Sequence, residues 1–164
     1  MPLEIERKFL VAGDGWRLGA SAGQRLQEGL LARMARGKVR VRRSENQAWI
    51  TVKGPKKGIA RQEFEYEVPL EHADEMLATL CEGPLLEKTR YRLDHEGLTW
   101  EVDVYAGALA GLVIAEVELD HLDQAVPLPA WIGREVTGSP DFSSASLIGA
   151  VEATPGRTHL AGLR

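Results

Sequence analysis

Apolar and polar residues alternate along the chain from Leu3 to Leu119, and a period of two marks strands with two unlike faces. The alternation predicts strands at Leu3 to Val11, Gln24 to Arg33, Lys38 to Arg43, Ala48 to Lys53, Arg61 to Val68, Leu86 to Leu93, Leu98 to Tyr105 and Leu112 to Leu119. Turn-forming runs divide them: Ala35-Arg36-Gly37, Ser44-Glu45-Asn46, Gly54 to Gly58, Asp94 to Gly97 and Gly107 to Gly111. Two segments instead carry apolar residues at helical spacing, Glu71 to Cys81 (Ala73, Met76, Leu77, Leu80) and Ser143 to Glu152 (Ala145, Leu147, Ile148, Val151). A short helical turn is expected near His121, ahead of Pro127 to Pro129. The predicted fold is α+β and mainly antiparallel β, an eight-stranded, closed, tunnel-like barrel with a few flanking helices. No linker-like stretch or internal repeat breaks the pattern, so residues 1–164 read as a single domain.

Because successive side chains on a strand point to opposite faces, parity sorts the charges. Glu4, Glu6 and Lys8 share one face of the first strand, Leu3, Ile5 and Phe9 the other, and Arg7 is the one polar residue out of pattern. The same rule groups Lys38, Arg40 and Arg42; Thr51 and Lys53; Glu63, Glu65 and Glu67; Lys88, Arg90 and Arg92; Glu101 and Asp103; and Glu116 and Glu118. Any one of these strands, taken alone, shows only the wet face that an antiparallel sheet normally has. Several of them, however, repeat like charges at i and i+2, which repel unless a metal ion or phosphate relieves them. If the sheet closes with this face inward, Lys8, Arg40, Arg42, Lys53, Lys88 and Arg90 converge on a lumen suited to a polyanion. Arg offers phosphate a planar fork of donors and Lys a mobile point charge. Glu4, Glu6, Glu63, Glu65, Glu101, Asp103, Glu116 and Glu118 offer hard oxygen ligands of the kind that Mg2+ or Mn2+ takes.

Composition narrows the partners. A chain of 164 residues with a hydrophobic fraction of 44% can bury a core. Lys and Arg number 20 against 24 Asp and Glu, a net charge of −4, so no broad basic surface for nucleic acid is expected. Cys81 is the sole cysteine, which excludes an intramolecular disulfide or a multi-cysteine metal site and fits a reducing cytoplasm. The charged opening Met1 to Lys8 gives no readable secretion signal, and no run of 18 apolar residues predicts a membrane span. No Gly-rich Walker loop is present, so phosphate binding would fall to side chains. His72, His95, His121 and His159 are scattered over turns, helix ends and the tail, and no Ser-His-Asp or Cys-His grouping is evident. Cys81 reads as a packed helix residue, and Trp16, Trp49, Trp100 and Trp131 as packing residues too dispersed to stack bases.

The string Glu4-Ile5-Glu6-Arg7-Lys8-Phe9-Leu10-Val11 resembles the opening ExExK motif of the CYTH superfamily, also called triphosphate tunnel metalloenzymes. Further blocks follow in the family's order: Val39-Arg40-Val41-Arg42, Thr51-Val52-Lys53, Arg61 to Glu65, Glu87 to Tyr91, Glu101 to Gly107, Ala115 to Glu118 and Pro129 to Thr137. A lone ExExK is a weak signal; an ordered series from residue 3 to about 138 is a specific one. The resemblance implies a tunnel in which Arg40, Arg42, Lys53, Lys88 and Arg90 grip a triphosphate. It makes Glu4, Glu6, Glu116 and Glu118 the leading metal positions, assisted by Asp103, Glu63, Glu65 and Glu101. Lys8 would orient substrate or the attacking water. In the family the C-terminal helix often begins with a Tyr or Phe, then Ser and Asn, with a nearby Lys reaching the tunnel. Here Asp141 to Ser146 contains neither that Lys nor that Asn, and Arg134 is the candidate substitute.

The expected activity is hydrolysis of a small-molecule triphosphate, with Glu4, Glu6 and Lys8 catalytic and Mg2+ or Mn2+ as cofactor. Inorganic triphosphate is the preferred substrate, because the opening block and short chain resemble the small bacterial triphosphatases of the superfamily. The nearest rival is an adenylate cyclase of the same fold, in which the ribose hydroxyl attacks the α-phosphate. A non-catalytic binder of polyphosphate or nucleotide is the rival from another class, and a purely structural sheet the plainest alternative. Oligomeric state is not readable from the sequence.

Overall fold

The computed structural model describes residues 2–153, so His159 lies outside the described residues. Its strands are β1 (Leu3–Val11), β2 (Gln24–Met34), β3 (Gly37–Arg43), β4 (Ala48–Lys53), β5 (Ala60–Val68), β6 (Glu82–His95), β7 (Leu98–Tyr105), β8 (Val113–Glu118) and β9 (Ile132–Glu135). Helix α1 (Leu70–Thr79) joins β5 to β6, and α2 (Ser144–Ala153) follows β9. Short 3-10 turns lie at Gly15–Gly19, Gly107–Leu109 and Pro140–Phe142. Every strand pairing is antiparallel, in the order β5-β4-β3-β2-β6-β7-β8-β1, and β1 pairs in turn with β5 to close a ring of eight. The closing seam is short, with Leu3, Glu4 and Ile5 opposite Gln62, Arg61 and Ala60.

All eight expected strands are present, and β6 extends beyond the predicted 86–93 at both ends. β9 was not predicted: at four residues it is too short for a period to register, and it lies outside the ring against β1. It also explains the out-of-pattern Arg7. The Arg7 guanidinium faces outward and forks onto Glu135 of β9, with Nε to Oε1 at 2.7 Å and Nη2 to Oε2 at 2.9 Å. The stretch near His121 is a hydrogen-bonded turn, Gln124 N donating to His121 O at 3.2 Å, and not a helix. Helix α1 ends at Thr79 with Leu80 as its cap, which puts Cys81 beyond the helix and half-buried.

The ring is inside-out relative to a packed barrel, with charge inward and apolar faces outward beneath covering segments. Phe9, Trp100, Val102, Ala115 and Val117 project from β1, β7 and β8 into a cluster covered by Trp16 and Trp131. Trp100 meets Phe9 at 5.6 Å and the Trp131 edge at 5.7 Å between ring centroids. On the opposite side α1 lays Ala73 and Leu77 over Val41 of β3 and Ala48 of β4. β2 passes under Cys81 so closely that a Cβ at Gly29 would overlap the sulfur, which requires glycine there. The third cluster fills one end of the ring: Leu10, Leu30, Leu86 and Ile114 meet Phe142, Leu147 and Ile148, so α2 is an apolar plug. No helix among the described residues is long and apolar enough to cross a membrane.

Candidate active site

Ring closure converts strand parity into a cavity of about 220 Å3, and sixteen of its twenty lining residues are charged. Thirteen of the predicted site residues line it: Glu4, Glu6, Lys8, Arg40, Arg42, Lys53, Glu63, Glu65, Lys88, Arg90, Glu101, Glu116 and Glu118. Asp103 does not. It is fully buried behind the wall, where Arg90 forks onto it at 2.7 and 2.8 Å and Lys88 Nζ approaches at 2.8 Å. Both of its oxygens are taken by Arg90 and Lys88, so Asp103 is not presented to a metal.

Ring order divides the lumen into two arcs. β7, β8, β1 and β5 are consecutive neighbours and carry Glu101, Glu116 and Glu118, Glu4 and Glu6, and Glu63 and Glu65. β4, β3 and β6 carry Lys53, Arg40 and Arg42, and Lys88 and Arg90 on the other side. β2, between β3 and β6, supplies Glu28, which sequence reasoning missed. This carboxylate is 1% exposed and draws in Arg42 at 2.8 Å, Lys88 at 2.9 Å and Arg40 at 3.9 Å. A signal for it existed: Glu28 is a lone acid between the buried Leu26 and Leu30 of the same face. Lys38, Arg61, Arg92, Tyr105 and Phe142 to Ser144 complete the wall.

Acids and bases are interlaced across the cavity. Lys53 Nζ lies 3.2 Å from Glu4 and 2.8 Å from Glu63, Arg61 lies 3.6 Å from Glu4, and Lys8 lies 3.5 Å from Glu116. Arg90 and Arg92 reach Glu101 at 3.3 and 2.9 Å, and Arg40 donates to Thr51, whose hydroxyl donates to Glu65. Burial would raise Glu116, but Lys8, Arg90 and Lys88 hold its carboxyl well below the usual range. Burial likewise opposes ionisation of Glu28, and Arg42, Lys88 and Arg40 overcome it. Glu4, Glu6 and Glu118 behave differently. Burial raises all three, Glu6 to about 7 with help from the charges of Glu116 and Glu4, and Glu118 with help from Glu4, Glu63 and Glu101. Glu6 and Glu118 face each other in register, and the carboxylates that surround each of them add to the effect of burial.

The CYTH domain family matches residues 2–147. The chain belongs to the CYTH family. This CYTH chain is 44% identical over 148 residues to an inorganic triphosphatase of Acetivibrio thermocellus, covering 90% of the chain and 94% of that protein. It is 36% identical over 149 residues to an inorganic triphosphatase of Nitrosomonas europaea, covering 88% and 95%. A crystal structure of an inorganic triphosphatase superposes with a TM-score of 0.62 at 35% identity, over 88% of this chain and 96% of that one. The tunnel-like ring is therefore a family property.

The donor chemistry of this CYTH lumen fits a divalent cation in one sector. Glu6 is buried, Glu4 half-buried and Glu118 exposed at the rim, and desolvation followed by neighbouring carboxylates raises the proton affinity of all three, a state that a dication would discharge. Among the described residues no three carboxylate, imidazole or thiol groups stand in a ready ligand array. A magnesium-like ion needs no such cage, since it keeps several waters and binds one or two carboxylates together with substrate phosphate. Glu63 and Glu101 hold closer ion pairs, with Lys53 at 2.8 Å and Arg92 at 2.9 Å, than Glu4 does with Lys53 at 3.2 Å and Arg61 at 3.6 Å, which leaves them weaker candidates. At the C-terminal side Phe142, Ser143 and Ser144 enter the wall, and Lys8 Nζ donates to the Phe142 carbonyl at 3.4 Å. Arg134 is exposed on β9 and takes no part in the wall.

Proposed function

We propose that this CYTH domain hydrolyses inorganic triphosphate to diphosphate and phosphate with Mg2+ or Mn2+. The observation that carries the reading is the polarised lumen, a cationic arc facing carboxylates of raised proton affinity across one small cavity. Arg40, Arg42, Lys53, Lys88 and Arg90 would hold the phosphate oxygens, and Glu28 and Asp103 keep four of those side chains aimed inward from behind. Glu4, Glu6 and Glu118, with Glu116 beside them, would hold the metal. When bound, the ion neutralises phosphate oxygens and lowers the pKa of a coordinated water. Lys8 sits between Glu116 and the Phe142 carbonyl, where its ammonium can orient the terminal phosphate for in-line attack. Water adds to the terminal phosphorus as the anhydride bond breaks, diphosphate departs, and the water's proton is released.

Two observations favour a substrate made of phosphates alone. The aromatic residues of the wall, Tyr105 and Phe142, are only 7% and 3% exposed, so among the described residues no aromatic slot receives a base. Two relatives that align over nearly their whole length carry the name inorganic triphosphatase. The test is phosphate release from inorganic triphosphate, ATP and thiamine triphosphate with Mg2+ or Mn2+, beside Glu4→Gln. Inorganic triphosphate should turn over fastest, and the variant should lose on the order of 10²-fold or more, as expected for a lost metal ligand. Cyclic AMP as the main product from ATP would favour the cyclase instead. Equal inactivity of wild type and variant would sink the reading.

A further inference from the structure

Among the described residues of the cavity wall, Lys38 is the one cation whose side chain has no ion pair or hydrogen bond. Its surroundings explain why. On its own strand stands Arg40, opposite it in register on β4 is Lys53, β5 contributes Arg61, and β1 contributes Lys8. β2 offers one acid, Glu28, which lines the same corner but is claimed by Arg42 and Lys88. The β2 residue paired with Lys38, Arg33, is exposed and its nearest acid is Glu82 at 3.9 Å. Helix α2 brings only Ser144 and Ile148 to this corner, neither of them charged. Glu4 and Glu63 are engaged by Lys53 and Arg61. A lysine has thus been placed in the wall of a polyanion cavity among four other cations, with no acid of its own.

We propose that Lys38 is a substrate-binding residue: the bound triphosphate supplies the anion this lysine lacks, and Lys38 takes up a proton as triphosphate binds. The proposal rests on the triphosphate reading above and deepens it by coupling substrate binding to pH. Burial, followed by the charges of Arg61, Lys53, Arg40 and Lys8, lowers the ammonium of the free protein to about 7. At pH 7.5 to 8 the free side chain is then largely neutral, and a phosphate chain alongside raises its proton affinity again. The other wall cations, already facing carboxylates, are not in this position.

The experiment is calorimetric titration of the metal-free protein in EDTA with sodium triphosphate at pH 7.5, in two buffers of different ionisation enthalpy. Wild type, Lys38→Met and Lys38→Arg are compared, so that protonation of the ligand itself cancels. Wild type should take up more protons than either variant. Lys38→Met should weaken binding on the order of tenfold, the usual scale for losing one charged partner of an anion, and Lys38→Arg much less. In turnover, the wild-type KM should climb as pH rises above 7 while that of Lys38→Arg stays flatter, with kcat little changed. The arginine variant preserves charge and length, so the test stands even if the methionine variant folds poorly. Identical proton uptake and affinity in wild type and Lys38→Arg, with an unaltered KM profile, overturns the proposal. Absence of any triphosphate binding by wild type would instead count against the functional reading itself.

Discussion

Glu28 is the residue whose replacement should cost this protein most for the smallest change in shape. Glu28→Gln keeps the volume but removes the charge on which Arg42, Lys88 and, at longer range, Arg40 converge. Removing one member of a buried ion cluster typically costs about 3 to 5 kcal/mol, because the remaining charges stay desolvated. The lower end applies here, about 3 kcal/mol, since Arg40 and Arg42 also line the cavity. For a chain of this size that corresponds to a melting point lower by roughly 6 to 12 °C. Arg42, Lys88 and Arg40 hold the folded carboxyl below its ordinary value, so its stabilisation is present above the unfolded pKa and disappears as pH falls through the folded one. The gap between wild type and variant should therefore be constant from pH 6 to 8 and close in acid. Urea denaturation followed by far-ultraviolet circular dichroism reads this directly. Triphosphate should restore the variant more than it stabilises wild type, because it replaces the missing anion. A variant within about 1 kcal/mol of wild type at pH 7 would refute the reasoning and mean that the cations are hydrated enough to need no internal counter-charge.

Glu6→Gln should act in the opposite direction in EDTA. The Glu6 carboxyl is raised from 4.5 to about 7, so its contribution is fully present below 4.5 and lost as pH rises through 7. The metal-free variant should consequently gain stability over wild type at pH 8, by up to about 3 kcal/mol, and not at pH 4. An equal difference at the two pH values would contradict the assignment. Leu147→Ala, at a position 1% exposed in the plug of α2, should lose about 2 to 5 kcal/mol in the same denaturation assay. If it loses less than 1 kcal/mol, α2 does not close this end of the ring as tightly as its packing indicates.

Much of this protein was legible in the sequence because strand parity is local. Glu4, Glu6 and Lys8 must share a face whatever β1 pairs with, and the same holds for Arg40 with Arg42 and Glu116 with Glu118. Of the fourteen site residues read from the sequence before any pairing was known, thirteen line the cavity. What parity cannot supply is which strands are neighbours, or how deep a side chain sits on its face. Asp103 and Glu116 share the inward parity of their strands, yet two cations bury Asp103 behind the wall. Glu28 stands as a lone acid at the apolar spacing of β2, and its role followed only when β3 and β6 brought Arg42 and Lys88 to it. β9 is too short to show a period, and it declares itself through long-range contacts, its pairing with β1 and the ion pair of Arg7 with Glu135, 128 residues apart. Most consequentially, the β1 to β5 seam, three residue pairs joining strands distant in the chain, places the acidic strands side by side and the basic ones opposite. The sequence by itself determined that charge would face one way on each strand. Only closure of the ring decided that the charges would form two opposed arcs, because strand order depends on long-range pairing that no local pattern encodes.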